Sequence, residues 1–245
     1  MNLIISENAT EMGRKAAERV AELIKEAIAQ KGYARILVST GQSQFEYFKA
    51  LISQNVPWDK VEIFHLDEYI GLPITHKASF RKYLKERFVN FIPGSVIHYL
   101  NVEDDIEKTI SNITKEIQKD KIDIGIIGIG ENGHIAFNDP PANFETKASY
   151  HVVKLDEKCK KQQVGEGWFE NINDVPEYAL SATVWQIMQC EHIISVVPHL
   201  VKAKAVKDTL EIPNVTNLVP ATKLREHKAW ELFLDSDSSS MLEKN

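Results

Sequence analysis

The chain has 245 residues, 43% of them hydrophobic, and a formal net charge of -6 at pH 7. This length and composition suit one sizeable core, so we expect a single domain over residues 1–235 and a disordered, serine-rich tail over 236–245. The acidic balance excludes a general attraction to nucleic acid or anionic membranes, and no run reaches the roughly 18 apolar residues of a membrane-spanning helix. Two cysteines without CxxC spacing favour a reducing cytoplasm.

Apolar residues recur at alternating strand-like and helical spacing along the chain. Strands are predicted at 35–38, 61–65, 123–128, 192–197 and 229–234. Helices are predicted at 11–29, from the loop after 38 through Leu51, and at 79–90, 103–119 and 201–210. This alternation predicts an α/β fold, Rossmann-like, in which one mostly parallel, open sheet carries helices on both faces. Such sheets bind ligands beyond the carboxyl ends of their strands, so the polar loops there are the candidate site.

The first of these loops follows the strand predicted at 35–38. It consists of Ser39, Thr40, Gly41, Gln42 and Ser43. Three hydroxyls, a glycine and free N–H groups at a helix start can bind a phosphate. An ordinary Ser/Thr helix cap fits the same residues equally well, because the phosphate-loop pattern GxxxxGK[ST] is absent.

The second and third loops carry acid–base groups. Asp67 and Glu68 follow the strand at 61–65, where one carboxylate could serve as a base, although paired acids at a strand end are also ordinary solvated residues. The third loop contains a GxGxxG pattern and leads to His134 and Asp139, two groups able to transfer protons. A dinucleotide site is not expected there, because no acidic ribose partner follows a second strand about 20 residues later.

Two segments together resemble the signature loops of glucosamine-6-phosphate deaminases: LDEYIGLP at 66–73 and GIGENGHIAFND at 128–139. Three further segments occur in the family's order and approximate spacing: SFRKY at 79–83, VPEYALS at 175–181 and KAKAV at 202–206. A resemblance to the related 6-phosphogluconolactonases would require an Asp-Glu-Arg second loop and a Gly-His-Thr-Ala-Ser third loop. This chain lacks both. The resemblance implies isomerisation and deamination of glucosamine 6-phosphate to fructose 6-phosphate and ammonia, without a metal or organic cofactor.

The resemblance also implies a catalytic set, which consists of Asp67, Asn132, His134 and Asp139. Asp67 is expected to move a proton from C2 to C1 of the substrate, and His134 to assist ring opening at the ring oxygen. Asn132 and Asp139 are expected to orient the imidazole of His134. Many relatives have Asp at position 132 and Glu at position 139, so ring opening is expected to be slower here or to depend more on Asp139.

For the substrate phosphate, the resemblance implies binding by Lys202 together with the loop of residues 39–43. An ordinary exposed helix lysine is the alternative for Lys202. The family's second basic contact, an arginine, has no counterpart between Arg87 and Arg225, so Lys160 or Lys161 could replace it. The segment at 162–169 is either a mobile cover over the site or a packed turn.

Other functions stay open from the sequence. A phosphosugar lactonase would hydrolyse an ester, and a non-catalytic sugar-phosphate sensor would bind without turnover. No motif distinguishes glucosamine from galactosamine 6-phosphate. A small phosphosugar is the expected partner, nucleic acid and membranes are not expected, and the possibility of a homo-oligomer stays open.

Overall fold

The computed structural model describes residues 1–243, in which helices and strands alternate. The helices are α1 Ala9–Lys31, α2 Phe45–Leu51, α3 Phe80–Arg87, α4 Ile106–Ile117, α5 Glu157–Gly165, α6 Val184–Ile187 and α7 Ala203–Glu211. The strands are β1 Asn2–Ser6, β2 Ala34–Val38, β3 Val61–His65, β4 Asp67–Tyr69, β5 Val96–His98, β6 Ile124–Ile126, β7 Tyr150–Lys154, β8 Tyr178–Ala182, β9 His192–Val197 and β10 Trp230–Asp235.

Helix α1 shows how the apolar spacing of the sequence becomes packing. The side chain of Asn8 accepts the N–H of Glu11 at 2.9 Å and so caps the start of the helix. Gly32 ends the helix with φ at 89°, a left-handed conformation that favours glycine. Residues three or four positions apart, such as Met12, Ala16, Val20 and Ile24, are buried. This apolar stripe anchors α1 against the sheet.

The large sheet has seven parallel strands in the order β1-β10-β9-β6-β2-β3-β5. Successive residues of the central strand β2 face opposite sides. Ile36 and Val38 belong to the core formed with α1, α2 and α3, whereas Leu37 belongs to the core formed with α4 and α7. Both faces of the sheet are therefore covered by helices, and the predicted fold class is confirmed.

A second sheet of three short antiparallel strands, in the order β4-β8-β7, was not predicted. The sequence interprets Leu66–Tyr69 as a loop, but Asp67, Glu68 and Tyr69 pair with Ser181, Leu180 and Ala179 of β8. These partners lie far apart in the chain, so local periodicity carries no signal for the pairing. Only Leu66 separates the end of β3 at His65 from the start of β4 at Asp67, and the pairing with β8 fixes the backbone of Asp67.

The chain reverses its direction of travel across the sheet between β2 and β6. After β2 the next strand, β3, lies on one side, while the next strand of this sheet after β6, β9, lies on the other. The loops that leave β2 and β6 consequently diverge, and a crevice opens between them. The N–H of Ser39 donates to the carbonyl of Ile126 at 3.0 Å, which holds the two strand ends together beneath that crevice.

The serine-rich tail differs from the disorder that the sequence predicts. Residues 236–242 form turns, and Ser238 is buried with its N–H donating to Oδ1 of Asp235 at 2.8 Å. The N–H of Glu243 donates to Oε1 of Glu211 at 3.0 Å. Residues 244–245 of the predicted tail lie outside the described residues. Within 1–243, no helix has the length and apolar character needed to cross a membrane.

Candidate active site

A cleft of about 740 Å³ lies at the carboxyl ends of β2, β3, β6 and β9. The three loops singled out from the sequence converge on it, as expected for a parallel sheet. It is lined by Ser39, Thr40, Gly41, Gln42, Ser43, Leu66, Asp67, Phe80, Gly128, Ile129, Gly130, Glu131, Asn132, His134, Ala136, Phe137, Lys158, Lys161, Gln162, Gln163, Gly165, Glu166, Trp168, His199, Val201 and Lys202. Among the predicted site residues, only Asp139 does not line the cleft.

Asp67 is a buried carboxylate on the cleft wall, with 6% of the residue exposed. Its carboxylate accepts no hydrogen bond from any residue in 1–243. Phe80 and Phe137 line the cleft, stack on each other with centroids 5.7 Å apart, and keep this part of the cleft apolar. Burial, together with the negative charge of Glu68, raises the pKa of Asp67 to about 8. Asp67 therefore combines the high basicity and the free lone pairs that a proton-abstracting group needs.

The neighbouring carboxylate, Glu68, has a different environment. It accepts hydrogen bonds from the N–H groups of Tyr69, Phe80 and Arg81 and from the hydroxyl of Ser79, at 2.8–3.1 Å. It also lies 3.4 Å from the guanidinium of Arg81. These contacts use its oxygens to fasten the start of α3 to β4. Of the two acids, only Asp67 is free to act on a ligand.

The second acid–base element is a pair formed by His134 and Asp139. Nδ1 of His134 lies 3.0 Å from Oδ1 of Asp139. Asn132 donates from Nδ2 to the same Oδ1 at 3.0 Å, and its own Oδ1 accepts the N–H of His134 at 3.1 Å. Asp139 thus stands behind His134 as seen from the cleft. Asp139 therefore contacts the imidazole and Asn132 but does not line the cleft itself.

Gly130 allows His134 to take this position. A Cβ atom on Gly130 would collide with Nε2, Cε1 and Cδ2 of the imidazole. The N–H of Gly130 also donates to the carbonyl of His134 at 2.9 Å, which closes the loop around the ring. The GxGxxG pattern is therefore explained in part by a histidine packed over its second glycine.

The other end of the cleft is suited to an anion. Lys202 is 7% exposed, lines the cleft, and forms no salt bridge within residues 1–243. Burial lowers its pKa below the ordinary value, although the charges of Glu166 and Glu131 oppose the effect. The N–H groups of Thr40 and Gly41 donate to no acceptor in the described part of the chain. A buried, unpaired cation that shares the cleft with free N–H groups is an environment that an anionic ligand would stabilise.

The loop at 39–43 is held by hydrogen bonds to Tyr83 and Gln44. Gly41 has φ at 104°, a conformation that favours glycine, and its carbonyl accepts the hydroxyl of Tyr83 at 2.9 Å. Buried Gln44 donates to Ser43 Oγ and to the carbonyl of Val196, each at 3.1 Å. The loop is consequently preorganised before any ligand is bound.

The segment at 162–169 covers the cleft. Gln42 donates from its side chain to the carbonyl of Glu166 at 2.8 Å, so the cover is fastened to the loop at 39–43. Trp168 Nε1 donates to the carboxylate of Glu166 at 2.9 Å. A mobile cover stays one of the two alternatives that the sequence gives for this segment. Of the two proposed replacements for the missing arginine, Lys161 lines the cleft and Lys160 does not, while Lys158 lines it as well.

The family model described as glucosamine-6-phosphate isomerases/6-phosphogluconolactonase matches residues 7–232. The chain belongs to this family. The resemblance inferred from the two loops is thereby confirmed.

Individual relatives agree with this assignment. A glucosamine-6-phosphate deaminase of Thermoanaerobacter sp. is 33% identical over 99% of this chain and 95% of its own. Another, of Streptococcus pneumoniae, is 30% identical over 100% of both chains. Among solved structures, a monomeric glucosamine-6-phosphate deaminase aligns with a TM-score of 0.90 at 28% identity, over 98% of this chain and 100% of that chain. A 6-phosphogluconolactonase of Thermotoga maritima, at 16% identity and a TM-score of 0.78 over 96% and 99%, shares the fold.

Several cleft residues were not predicted as site residues from the sequence, and Glu166 and His199 are two of them. Glu166 lies in the cover, and the sequence offered only its glycine and aromatic neighbours as a signal. His199 follows β9 in the turn that leads to Lys202, and its φ of 79° is unusual for a residue with a side chain. Its N–H donates to both carboxylate oxygens of Asp235, at 3.0 and 3.2 Å, which stabilises the turn. The position of His199 just past a strand end was a usable signal.

Substituting Gly130 with alanine is expected to displace the His134 ring and to lower kcat by about 10²-fold, because a displacement of about 1 Å in a reacting group costs this much. Gly128→Ala is the matched control in the same loop, since its Cβ would meet nothing nearer than Gln44 Nε2 at 3.4 Å. Steady-state kinetics on both variants measure the difference. Equal kcat values for the two variants would contradict this role of Gly130.

The raised pKa of Asp67 predicts a pH-dependent stability difference between the wild type and Asp67→Asn. The folded-state pKa of Asp67, about 8, lies above the ordinary aspartate value of 3.8. Between these values the folded protein holds a proton that the unfolded chain has lost, so wild-type stability falls relative to the variant as pH rises from about 4 to about 8. We expect the melting-temperature advantage of Asp67→Asn to grow by at least about 2 °C, roughly 1 kcal/mol for a chain of this size.

Melting temperatures of both proteins at pH 5 and pH 8.5 provide the measurement. Other titrating groups, such as buried His65, whose pKa burial lowers to about 3, are present in both proteins and largely cancel in the difference. A difference that is the same at both pH values would show that Asp67 ionises normally.

Proposed function

We propose that the chain converts glucosamine 6-phosphate and water to fructose 6-phosphate and ammonia. The observation that carries the proposal is the arrangement of the cleft: a buried carboxylate with free lone pairs, Asp67, shares it with His134 and with a buried, unpaired cation, Lys202. A phosphosugar offers an anion for the cation and a carbon acid for the carboxylate. The deaminase activity named for the relatives supports the same substrate.

The phosphate group is proposed to bind at the end of the cleft formed by Lys202 and residues 39–43. The free N–H groups of Thr40 and Gly41 and the hydroxyls of this loop would donate to phosphate oxygens, and Lys202 would supply the positive charge. Lys158 or Lys161 would add a more exposed second charge. Binding at this end leaves the sugar carbons to extend toward Asp67 and His134.

His134 is proposed to assist opening of the sugar ring. The pyranose opens when the C1 hydroxyl loses a proton and the ring oxygen gains one, and an imidazole beside the substrate can relay such a proton. Asp139 would stabilise the transient positive charge of the His134 imidazolium, since its carboxylate lies 3.0 Å from Nδ1. The product of this step is the open-chain aldehyde.

Asp67 is proposed to carry out the isomerisation. Its carboxylate removes the proton from C2, which the C1 aldehyde acidifies, and the resulting enolamine is protonated at C1. The nitrogen-bearing C2 becomes an imine, water adds to it, and ammonia leaves. The C–N bond breaks, a C=O bond forms, and the oxidation of C2 is matched by reduction of C1. The balance therefore requires no external oxidant or reductant.

Incubation with glucosamine 6-phosphate followed by an ammonia assay tests the proposal. A deaminase releases ammonia, whereas a lactonase acting on 6-phosphogluconolactone and a non-catalytic sensor do not. Galactosamine 6-phosphate in a parallel assay reports the preference at C4. Action in the cytoplasm, within the breakdown of amino sugars such as N-acetylglucosamine, belongs to the same proposal, and two buried free cysteines, Cys159 and Cys190, support a reducing compartment.

A further inference from the structure

The side chain of Asn132 joins two parts of the third loop. Its Oδ1 accepts the backbone N–H of His134 at 3.1 Å, and its Nδ2 donates to Oδ1 of Asp139 at 3.0 Å. The backbone N–H can only donate, so the amide oxygen must face it. The NH₂ group must therefore face Asp139. A flipped amide would place a donor against a donor and an oxygen against a carboxylate oxygen.

A carboxylate at position 132 would preserve only half of this arrangement. It would still accept the N–H of His134, so the turn of the loop would be kept. Its second oxygen, however, would lie about 3 Å from Oδ1 of Asp139, where two negative charges cannot both be stable and one carboxyl group retains a proton. Asn132 and an aspartate at this position therefore differ in charge and in hydrogen-bond donation rather than in loop shape.

Among the described residues, two titratable groups face Asp139: the imidazole of His134 and the thiol of Cys159. Burial raises the pKa of Asp139, but contacts with His134 and with Asn132 outweigh it, and the pKa of Asp139 lies below its ordinary value. The thiol of Cys159, on α5, also faces Asp139, and burial raises its pKa so that it stays neutral. Asp139 is therefore the only ionised acid in this group of described residues.

An ionised Asp139 dictates the form of the imidazole. A carboxylate oxygen 3.0 Å from Nδ1 favours the proton on Nδ1, because an unprotonated nitrogen would repel it. The lone pair of the neutral ring then lies on Nε2, the nitrogen that packs over Gly130 at the cleft. The ring is thus set to accept a proton on its cleft side.

We propose that Asn132 is a positioning residue that confines the negative charge of the His134–Asp139 pair to Asp139 and thereby fixes His134 as the Nδ1-protonated tautomer. This inference rests on the proposed function, in which His134 moves a proton at the ring oxygen. It assigns Asn132 an electrostatic task that an aspartate cannot perform beside Asp139. The neutral side-chain amide of Asn132 allows Asp139 to stay ionised.

The test follows the ring nitrogens of His134 by NMR during a pH titration. Proteins carrying Asn132 and Asn132→Asp are compared, both in the Asp67→Asn background, which removes the titration of Asp67 and makes the readout independent of turnover. With Asn132, we expect the neutral ring to be protonated at Nδ1. With Asn132→Asp, an additional carboxyl ionisation is expected, and the protonation midpoint of His134 is expected to rise by about one pH unit or more as the second charge forms.

Two results would overturn the inference. One is a neutral His134 protonated mainly at Nε2 in the protein with Asn132, a measurement that does not depend on whether the aspartate variant folds. The other is a His134 midpoint and tautomer that are unchanged in Asn132→Asp, which would leave Asn132 with loop shaping alone. Failure of the chain to release ammonia from glucosamine 6-phosphate would contradict the proposed function, but both NMR results could still be interpreted.

Discussion

Asp67→Asn is expected to lower kcat by about 10³-fold while KM or the dissociation constant of a substrate analogue changes little. The amide keeps the size of the side chain but cannot take the C2 proton, and a positioned general base contributes about 10²- to 10⁴-fold. The residue has no other visible task, since its carboxylate accepts no hydrogen bond within residues 1–243. Steady-state kinetics on glucosamine 6-phosphate provide the measurement.

Glu131→Gln is the matched control for the loss of charge at Asp67. Glu131 lines the same cleft but is exposed, and the proposed steps assign it no proton. We expect its kcat to stay within about threefold of the wild type, since an exposed charge acts weakly through solvent. Near-normal kcat in Asp67→Asn would remove Asp67 as the base.

Lys202→Met is expected to raise KM by at least about 30-fold, which corresponds to the loss of about 2 kcal/mol when one partner of a buried charge pair is truncated. The free protein is expected to melt at a higher temperature, because the variant no longer buries a cation that lacks a salt-bridge partner. Kinetics and thermal melting on the same preparation measure both effects.

Lys204→Met is the control for the removal of a lysine near the start of α7, which Lys202 immediately precedes. Lys204 is solvent-exposed, and its Nζ lies 2.6 Å from Asp208, one turn along α7. We expect KM to be unchanged and the melting temperature to be equal or slightly lower, since exposed pairs of this kind contribute about 0.3–0.5 kcal/mol. A Lys202→Met protein with wild-type KM would place the phosphate elsewhere in the cleft.

Local sequence patterns were sufficient to predict the main helices and strands of the large sheet. The apolar stripe of α1 and the buried runs of β2 and β3 predict their own structures, because one period repeats within each segment. Short strands gave too little pattern: β5 has three residues, and β4 is a strand only through its pairing with β8. Such pairing depends on distant partners, which no local window contains.

The site was predictable as a set of loops but not as a geometry. The sequence located His134, Asn132 and Asp139 together, yet it could not show that Asp139 lies behind the imidazole while Asn132 bridges the two. Similarly, composition could not choose between Lys160 and Lys161. That choice depends on the rotation of α5, where consecutive residues point about 100° apart.

The most direct test of the proposed reaction follows the hydrogen at C2 of the substrate. Glucosamine 6-phosphate deuterated at C2 is incubated with the protein, and the products are analysed by NMR together with an ammonia assay. We expect fructose 6-phosphate and an equal amount of ammonia, with the deuterium at C1 or lost to water, because Asp67 removes it before ammonia leaves. An aldose 6-phosphate that retains deuterium at C2, or folded protein that releases no ammonia, would contradict the assignment.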